Sequence, residues 1–246
     1  MNRANLHLIV NEPGNDLLVT EVEKVRQRFQ CLKSDLNLGS DGSTDRGQVS
    51  ADSSFEKVVN YNLLYGFEHV FELRDAVIKW EQHIDADPHL LDLGCGIGLA
   101  DLVLQTCGFD TSSYIGVDHN KEMLKMALQL NLGSTFTKEI RSVPRRRGRG
   151  LLVINHLFGQ TELTEKNISD FAYYVAQIFD EHLSVLNVEP KMSRVDLNRQ
   201  AFRNALLAVG FIEVLSEHAE TTSQFRTPKN SWFAQYMINR ESKVTN

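Results

Sequence analysis

The stretch LLDLGCGIGLADLVL, residues 90 to 104, decides the fold. An apolar run reaches Asp92, meets glycines at 94, 96 and 98, and gives way to a second apolar run. That succession places a strand, a tight turn and a helix one after another. Glycine permits positive φ and removes the side chain that would hold a ligand off the backbone, and the helix that follows begins with free N–H groups. The loop therefore reads as a binding edge for a nucleoside-bearing ligand.

Outward from this loop, short β-rich segments alternate with longer helical ones, the pattern of a parallel sheet with crossover helices. Strands are expected at HLLDL (89 to 93), SYIGVD (113 to 118), TFTKEI (135 to 140), LLVINHL (151 to 157) and LSVLNVEP (183 to 190). Helices are expected near 99 to 107, 120 to 131, 164 to 182 and 196 to 209. GFIEVLSE and SWFAQYMINR are strand-like runs with no helical pattern between them, so they should pair antiparallel.

Upstream, LHLIV (6 to 10) reads as a short strand. In the 17 to 36 region Leu18, Val22, Val25, Phe29, Leu32 and Leu36 fall on one helical stripe. The stripe either covers the domain core or forms a homodimer seam. Residues 39 to 54 have only Val49 and Ala51 to bury and read as a linker or a ligand-ordered lid. Ser53 and Glu56 have capping-box spacing and open a helical stretch to about residue 84, with a break expected near Gly66. The expected division is an N-terminal extension, 1 to 54, and a main domain, 55 to 246.

The chain has 246 residues, 42% of them hydrophobic, enough for one substantial core. Its net charge of −6 argues against a whole surface built for nucleic acid. Three cysteines without a CxxC pair suggest neither a disulfide framework nor a cysteine zinc site, and no other metal site is read from the sequence. A cytoplasmic protein without a membrane partner is expected, since no stretch approaches a membrane span.

The glycine spacing narrows the ligand. A dinucleotide fingerprint wants a third glycine where this chain has Leu99, and Asp92 would repel a pyrophosphate. Asp92-Leu93-Gly94-Cys95-Gly96-Ile97-Gly98, with Asp118 ending the next strand and Met123 close behind, resembles the first two motifs of the class I S-adenosylmethionine-dependent methyltransferases. The resemblance covers roughly residues 88 to 240. It implies an α/β fold with a seven-stranded, mostly parallel Rossmann-like sheet, helices on both faces and a closing antiparallel strand pair, here with a helical N-terminal extension. It also implies S-adenosyl-L-methionine as cofactor and S-adenosyl-L-homocysteine as product.

By the same resemblance Asp92, Gly94, Cys95, Gly96 and Gly98 hold the methionine end, and Asp118 accepts from both ribose hydroxyls, each charge-assisted bond being worth about 1.5–3 kcal/mol. Glu139, or its neighbours Ile140 and Arg141, is expected near the adenine amine; His119 either flanks adenine or is an exposed loop residue, and Tyr65 with Tyr61 either contacts the cofactor or packs as buried aromatics. Asn155 and His156 end the fourth strand, where the methyl acceptor should lie, and His156 is a candidate general base. Glu189 ends the fifth strand and is expected to face the same cleft.

The acceptor is expected to be a small molecule or a peptide. The run RSVPRRRGRG carries Arg141, Arg145, Arg146, Arg147 and Arg149 and keeps a nucleic-acid acceptor, RNA more than DNA, as an alternative. A non-catalytic cofactor-binding scaffold is a third reading.

Overall fold

A computed structural model describes residues 15–35, 37, 49–130, 134–221 and 229–238. The strand expected at 6 to 10, most of the 39 to 54 segment and Leu36 lie outside the described residues.

In chain order the helices are α1 (Asn15–Asp35), α2 (Phe55–Tyr61), α3 (Phe67–Trp80), α4 (Leu99–Thr106), α5 (Lys121–Gln129), α6 (Glu165–Ile178) and α7 (Ser193–Ala208). The strands are β1 (His89–Leu93), β2 (Ile115–Val117), β3 (Thr135–Thr137), β4 (Arg149–Asn155), β5 (His182–Pro190), β6 (Phe211–Thr221) and β7 (Lys229–Ile238). They form one seven-stranded sheet in the order β3-β2-β1-β4-β5-β7-β6. Every pairing from β3 through β5 is parallel. β7 runs antiparallel to both β5 and β6, as the two unconnected strand-like runs required.

The central strands bury both faces, with side chains alternating between them. Leu151 and Val153 of β4 join a core with α1 to α5, whereas Leu152 and Ile154 join a core with α6 and α7. In α1, Leu18, Val22, Val25 and Phe29 are at most 8% exposed and belong to the first of these cores, so the stripe turns inward on its own domain.

Three local expectations need correction. The helical stretch does not break at Gly66: residues Asn62–Gly66 form a π-turn between α2 and α3. A Cβ at Gly66 would collide with the Asn62 side chain, which donates to the Val58 carbonyl at 2.9 Å, so glycine makes room for the turn's own polar group. The N-cap of α2 is Ser54, accepting from Lys57 N–H, while Ser53 Oγ accepts from Ser50 N–H at 2.9 Å. The third and fourth strands end early, at Thr137 and Asn155; Ile140–Ser142 is a 3₁₀ turn, and His156 leaves β4 with φ 59°.

The chain builds outward from β1 to β2 and β3, then returns to place β4 on β1's other side. That reversal opens a crevice at the carboxyl ends of β1 and β4, where open α/β sheets bind ligands. Leu93 and Ile154 are partners in register, so the glycine loop and the segment after Asn155 leave the sheet side by side.

Candidate active site

All three glycines of the loop occupy the left-handed region, with φ 73° at Gly94, 54° at Gly96 and 78° at Gly98. A side chain at such φ costs about 1–2 kcal/mol, which is the physical reason for the spacing read from the sequence. Gly94 and Cys95 both donate N–H to the Val117 carbonyl, at 2.8 and 3.1 Å, and so bind the loop to the end of β2. Gly98 is the N-cap residue of α4.

Asp118 stands across the loop. One carboxylate oxygen accepts from Gly96 N–H and the other from Asn120 N–H, both at 2.8 Å. Two carboxylate oxygens have about four acceptor sites, so each keeps capacity for a hydroxyl. Burial raises the Asp118 pKa against these bonds. Asn120 caps α5 by accepting from Glu122 and Met123 N–H, and its amide donates to the Ser50 carbonyl at 2.6 Å. Residues 49–51 are thereby tied to α5, and all three line the cavity.

Asp92 lies beneath the loop, 2% exposed. Its Oδ2 accepts from the Tyr114 hydroxyl at 2.6 Å, and its Oδ1 is buried without a hydrogen-bond partner among the described residues. Burial pushes its carboxyl up to about 7, against the Tyr114 bond that lowers it. A buried acceptor of this kind is costly unless a ligand supplies the donor.

The cavity has a volume of about 300 Å³ and runs from the glycine loop and Asp118 to Asn155 and His156. Asp92, Gly94, Cys95, Gly96, Asp118, His119, Asn155 and His156 all line it, as does Tyr61. His119 stacks on Phe171, with 6.4 Å between ring centroids. Four expected contacts stand elsewhere. Gly98 does not line the cavity and serves as the N-cap residue of α4. Tyr65 does not line the cavity and packs on Tyr61 with ring centroids 5.7 Å apart. Glu139 is exposed and pairs with Arg141, because β3 ends two residues before it. Glu189 is fully buried and faces the backbone instead of the cleft, accepting from Phe158 N–H at 2.7 Å and Gly159 N–H at 3.3 Å.

The end of the cavity at Asn155 and His156 holds a group the sequence did not reveal. His156 Nε2 lies 3.0 Å from Glu72 Oε2, and His69 Nδ1 lies 3.3 Å from the same oxygen. The two imidazoles stack, with 3.5 Å between centroids and a 28° tilt. Burial would raise the Glu72 carboxyl, but the two imidazoles bonded to it hold it well below the usual carboxylate range. His156 keeps its left-handed backbone because its N–H donates to the Val188 carbonyl at 3.0 Å and Gln160 donates to its own carbonyl at 3.2 Å. Asn155 Oδ1, beside it, is buried without a partner among the described residues.

The arginine run leads into β4 at the amino ends of the strands, opposite the cavity, and none of its residues lines the cavity. Arg145 pairs with Asp180 at 3.0 Å and Arg149 with Asp85 at 2.5 Å. Among the described residues no helix is long and apolar enough to cross a membrane.

No protein-family model matches the chain, and no curated protein matches it. Solved structures do. A SAM-dependent methyltransferase from Archaeoglobus fulgidus is 14% identical, with 71% of this chain and 99% of that one covered and a TM-score of 0.51. A SAM-dependent methyltransferase from Methanosarcina mazei is 15% identical over 64% of this chain and 95% of that one, with a TM-score of 0.48. Magnesium protoporphyrin IX methyltransferase from Synechocystis, crystallised with SAM, is 16% identical over 89% and 97%, with a TM-score of 0.47. The likeness to the Archaeoglobus structure and the strand order agree: the chain has the class I, Rossmann-like methyltransferase fold.

Proposed function

We propose that this chain is a methyltransferase that uses S-adenosyl-L-methionine to methylate a small molecule. The observation that carries the reading is Asp92 Oδ1, a buried acceptor with no described partner beneath three positive-φ glycines. An ammonium group satisfies such a carboxylate; a pyrophosphate does not.

The residues fit the cofactor from end to end. Asp92 and the glycine loop would hold the amino-acid end, Asp118 would accept from the ribose hydroxyls, and His119 and Phe171 border the same cavity. When bound, S-adenosylmethionine supplies an electrophilic methyl group on a sulfonium. The chain's own residues position the partners and exclude water, which suffices for much of the rate in an in-line displacement. An acceptor at the Asn155 end of the cavity meets His156, His69 and Glu72, which can hold it in place. The cavity volume favours a small acceptor.

Thermal denaturation tests the reading before any acceptor is known, because a ligand that binds only the folded state raises the midpoint. S-adenosylmethionine and S-adenosylhomocysteine should both raise Tm, and NAD should not. A response to NAD alone would overturn the proposal.

A further inference from the structure

We infer that His69, Glu72 and His156 form a site for one divalent transition-metal ion, zinc by its donor set, with its open positions toward the acceptor end of the cavity. The three donor atoms lie within 4.8 Å of one another. Ligand atoms that share an ion at about 2.0–2.2 Å stand about 3.0–3.5 Å apart along the edges of an octahedron or tetrahedron. The spacings of 3.0 and 3.3 Å from Glu72 Oε2 to the two nitrogens are already of that kind.

The donors come from two separately anchored elements. His69 and Glu72 are one turn apart on α3, so they share a helix face. His156 arrives from the end of β4 in a left-handed backbone held by Val188 and Gln160. Strain of this sort persists where surrounding contacts over-determine it, and it collects at functional sites. The two rings stack with a 28° tilt and both present a nitrogen to the same Glu72 oxygen.

Access and charge agree with the donor geometry. Glu72 is 3% exposed and forms the back of the cluster, whereas His69 and His156 line the cavity. Two neutral imidazoles and one carboxylate leave a dipositive ion with a net single positive charge, suited to an anionic further ligand. With only three protein ligands, the remaining positions face the cavity where Asn155 Oδ1 also stands without a described partner.

Resting on the methyl-transfer reading, this site selects an acceptor with a hydroxyl or thiol. Bound to the ion, that group becomes more acidic and gives its proton to water. Its lone pair then forms the bond to the methyl carbon. The carbon–sulfur bond of the sulfonium breaks, and its electrons remain on sulfur as a neutral thioether.

The test measures metal, not turnover. Full-length protein is stripped with a chelator, dialysed against zinc chloride and then against metal-free buffer, and bound zinc is quantified. Wild type should retain about one equivalent. His69→Ala and Glu72→Gln should each lose most of it, and His89→Ala, whose imidazole bonds the Arg147 carbonyl at the other end of β1, should keep it. Because Glu72 is buried, the His69→Ala variant with a Tm near that of the wild type decides the matter should Glu72→Gln fail to fold. Negligible retention by wild type, or retention unchanged in His69→Ala, overturns the site. S-adenosylhomocysteine is added to the stripped protein in parallel. A Tm rise without zinc retention overturns the ion site alone, and zinc retention without that rise supports the ion site while overturning the methyl-transfer reading.

Discussion

Asp92 is held between two opposing demands. Its burial favours the neutral acid, and its proposed ligand needs the carboxylate. The folded-state value of about 7 lies above the ordinary 3.8, so the folded chain keeps a proton that the unfolded chain has released. The associated stability is fully present below about pH 4 and is lost as pH rises through about 7. Asp92→Asn removes this dependence, so the difference in Tm between variant and wild type should move in the variant's favour from pH 4 to pH 8. Ligand binding has the opposite sign: affinity for S-adenosylhomocysteine, measured by calorimetry, should weaken toward about tenfold per unit as pH falls below 7 in wild type and stay flat and weak in Asp92→Asn. An affinity that ignores pH in wild type would remove Asp92 from the site. Asp118→Ala should lower the same affinity by about tenfold or more, the cost of about 1.5–3 kcal/mol for a lost charge-assisted bond. At this scale the sequence was highly legible, because Gly94, Gly96, Gly98 and Asp118 serve backbone conformations and acceptors that few other residues supply. Glu139 was misplaced because the strand expected to run to residue 140 stops at Thr137, which leaves Glu139 beyond its end and exposed.

The elements carry the site through supports that periodicity does not disclose. Helical spacing located α3, but nothing in it distinguishes a continuous π-turn from a break, since the deciding contact is Gly66 against Asn62. Likewise the alternation that located β5 does not reveal that its buried polar residues serve the loop after β4. Arg199 of α7 donates to Asn187, Asn187 donates to Ile154 O at 2.9 Å and to Glu189, and Glu189 takes the N–H groups of Phe158 and Gly159. This chain of bonds fixes the loop that begins at His156. Glu189→Ala removes the carboxylate that accepts from the buried N–H groups of Phe158 and Gly159, at about 1–3 kcal/mol for the Phe158 bond. The expected outcome is a lower Tm and faster amide exchange at Phe158 and Gly159, with S-adenosylhomocysteine affinity changed by less than about twofold. Unchanged exchange at those two amides would mean that Glu189 does not clamp the loop.

Across the whole molecule, the sheet separates what the sequence placed close together and joins what it placed far apart. His156 is 84 residues from Glu72, so their meeting depends on α3 lying against the carboxyl end of β4, and no local pattern carried it. The reverse holds for the arginines. They follow β3 by a few residues and read as neighbours of the cleft, but the connection crosses to the amino ends of the strands before β4 begins at Arg149. There Arg145 and Arg149, 64% and 66% exposed, pair with Asp180 and Asp85. Exposed pairs contribute at most about 1 kcal/mol each. Replacing Arg145, Arg147 and Arg149 with alanine should therefore lower Tm only slightly and change S-adenosylhomocysteine affinity by less than about twofold. The same variant should bind mixed RNA no more weakly than wild type across a salt series, because two of the three guanidinium groups, those of Arg145 and Arg149, are already paired within the domain. A loss of RNA affinity together with a shallower salt slope would show instead that these arginines neutralise phosphates, and would restore nucleic acid as the acceptor.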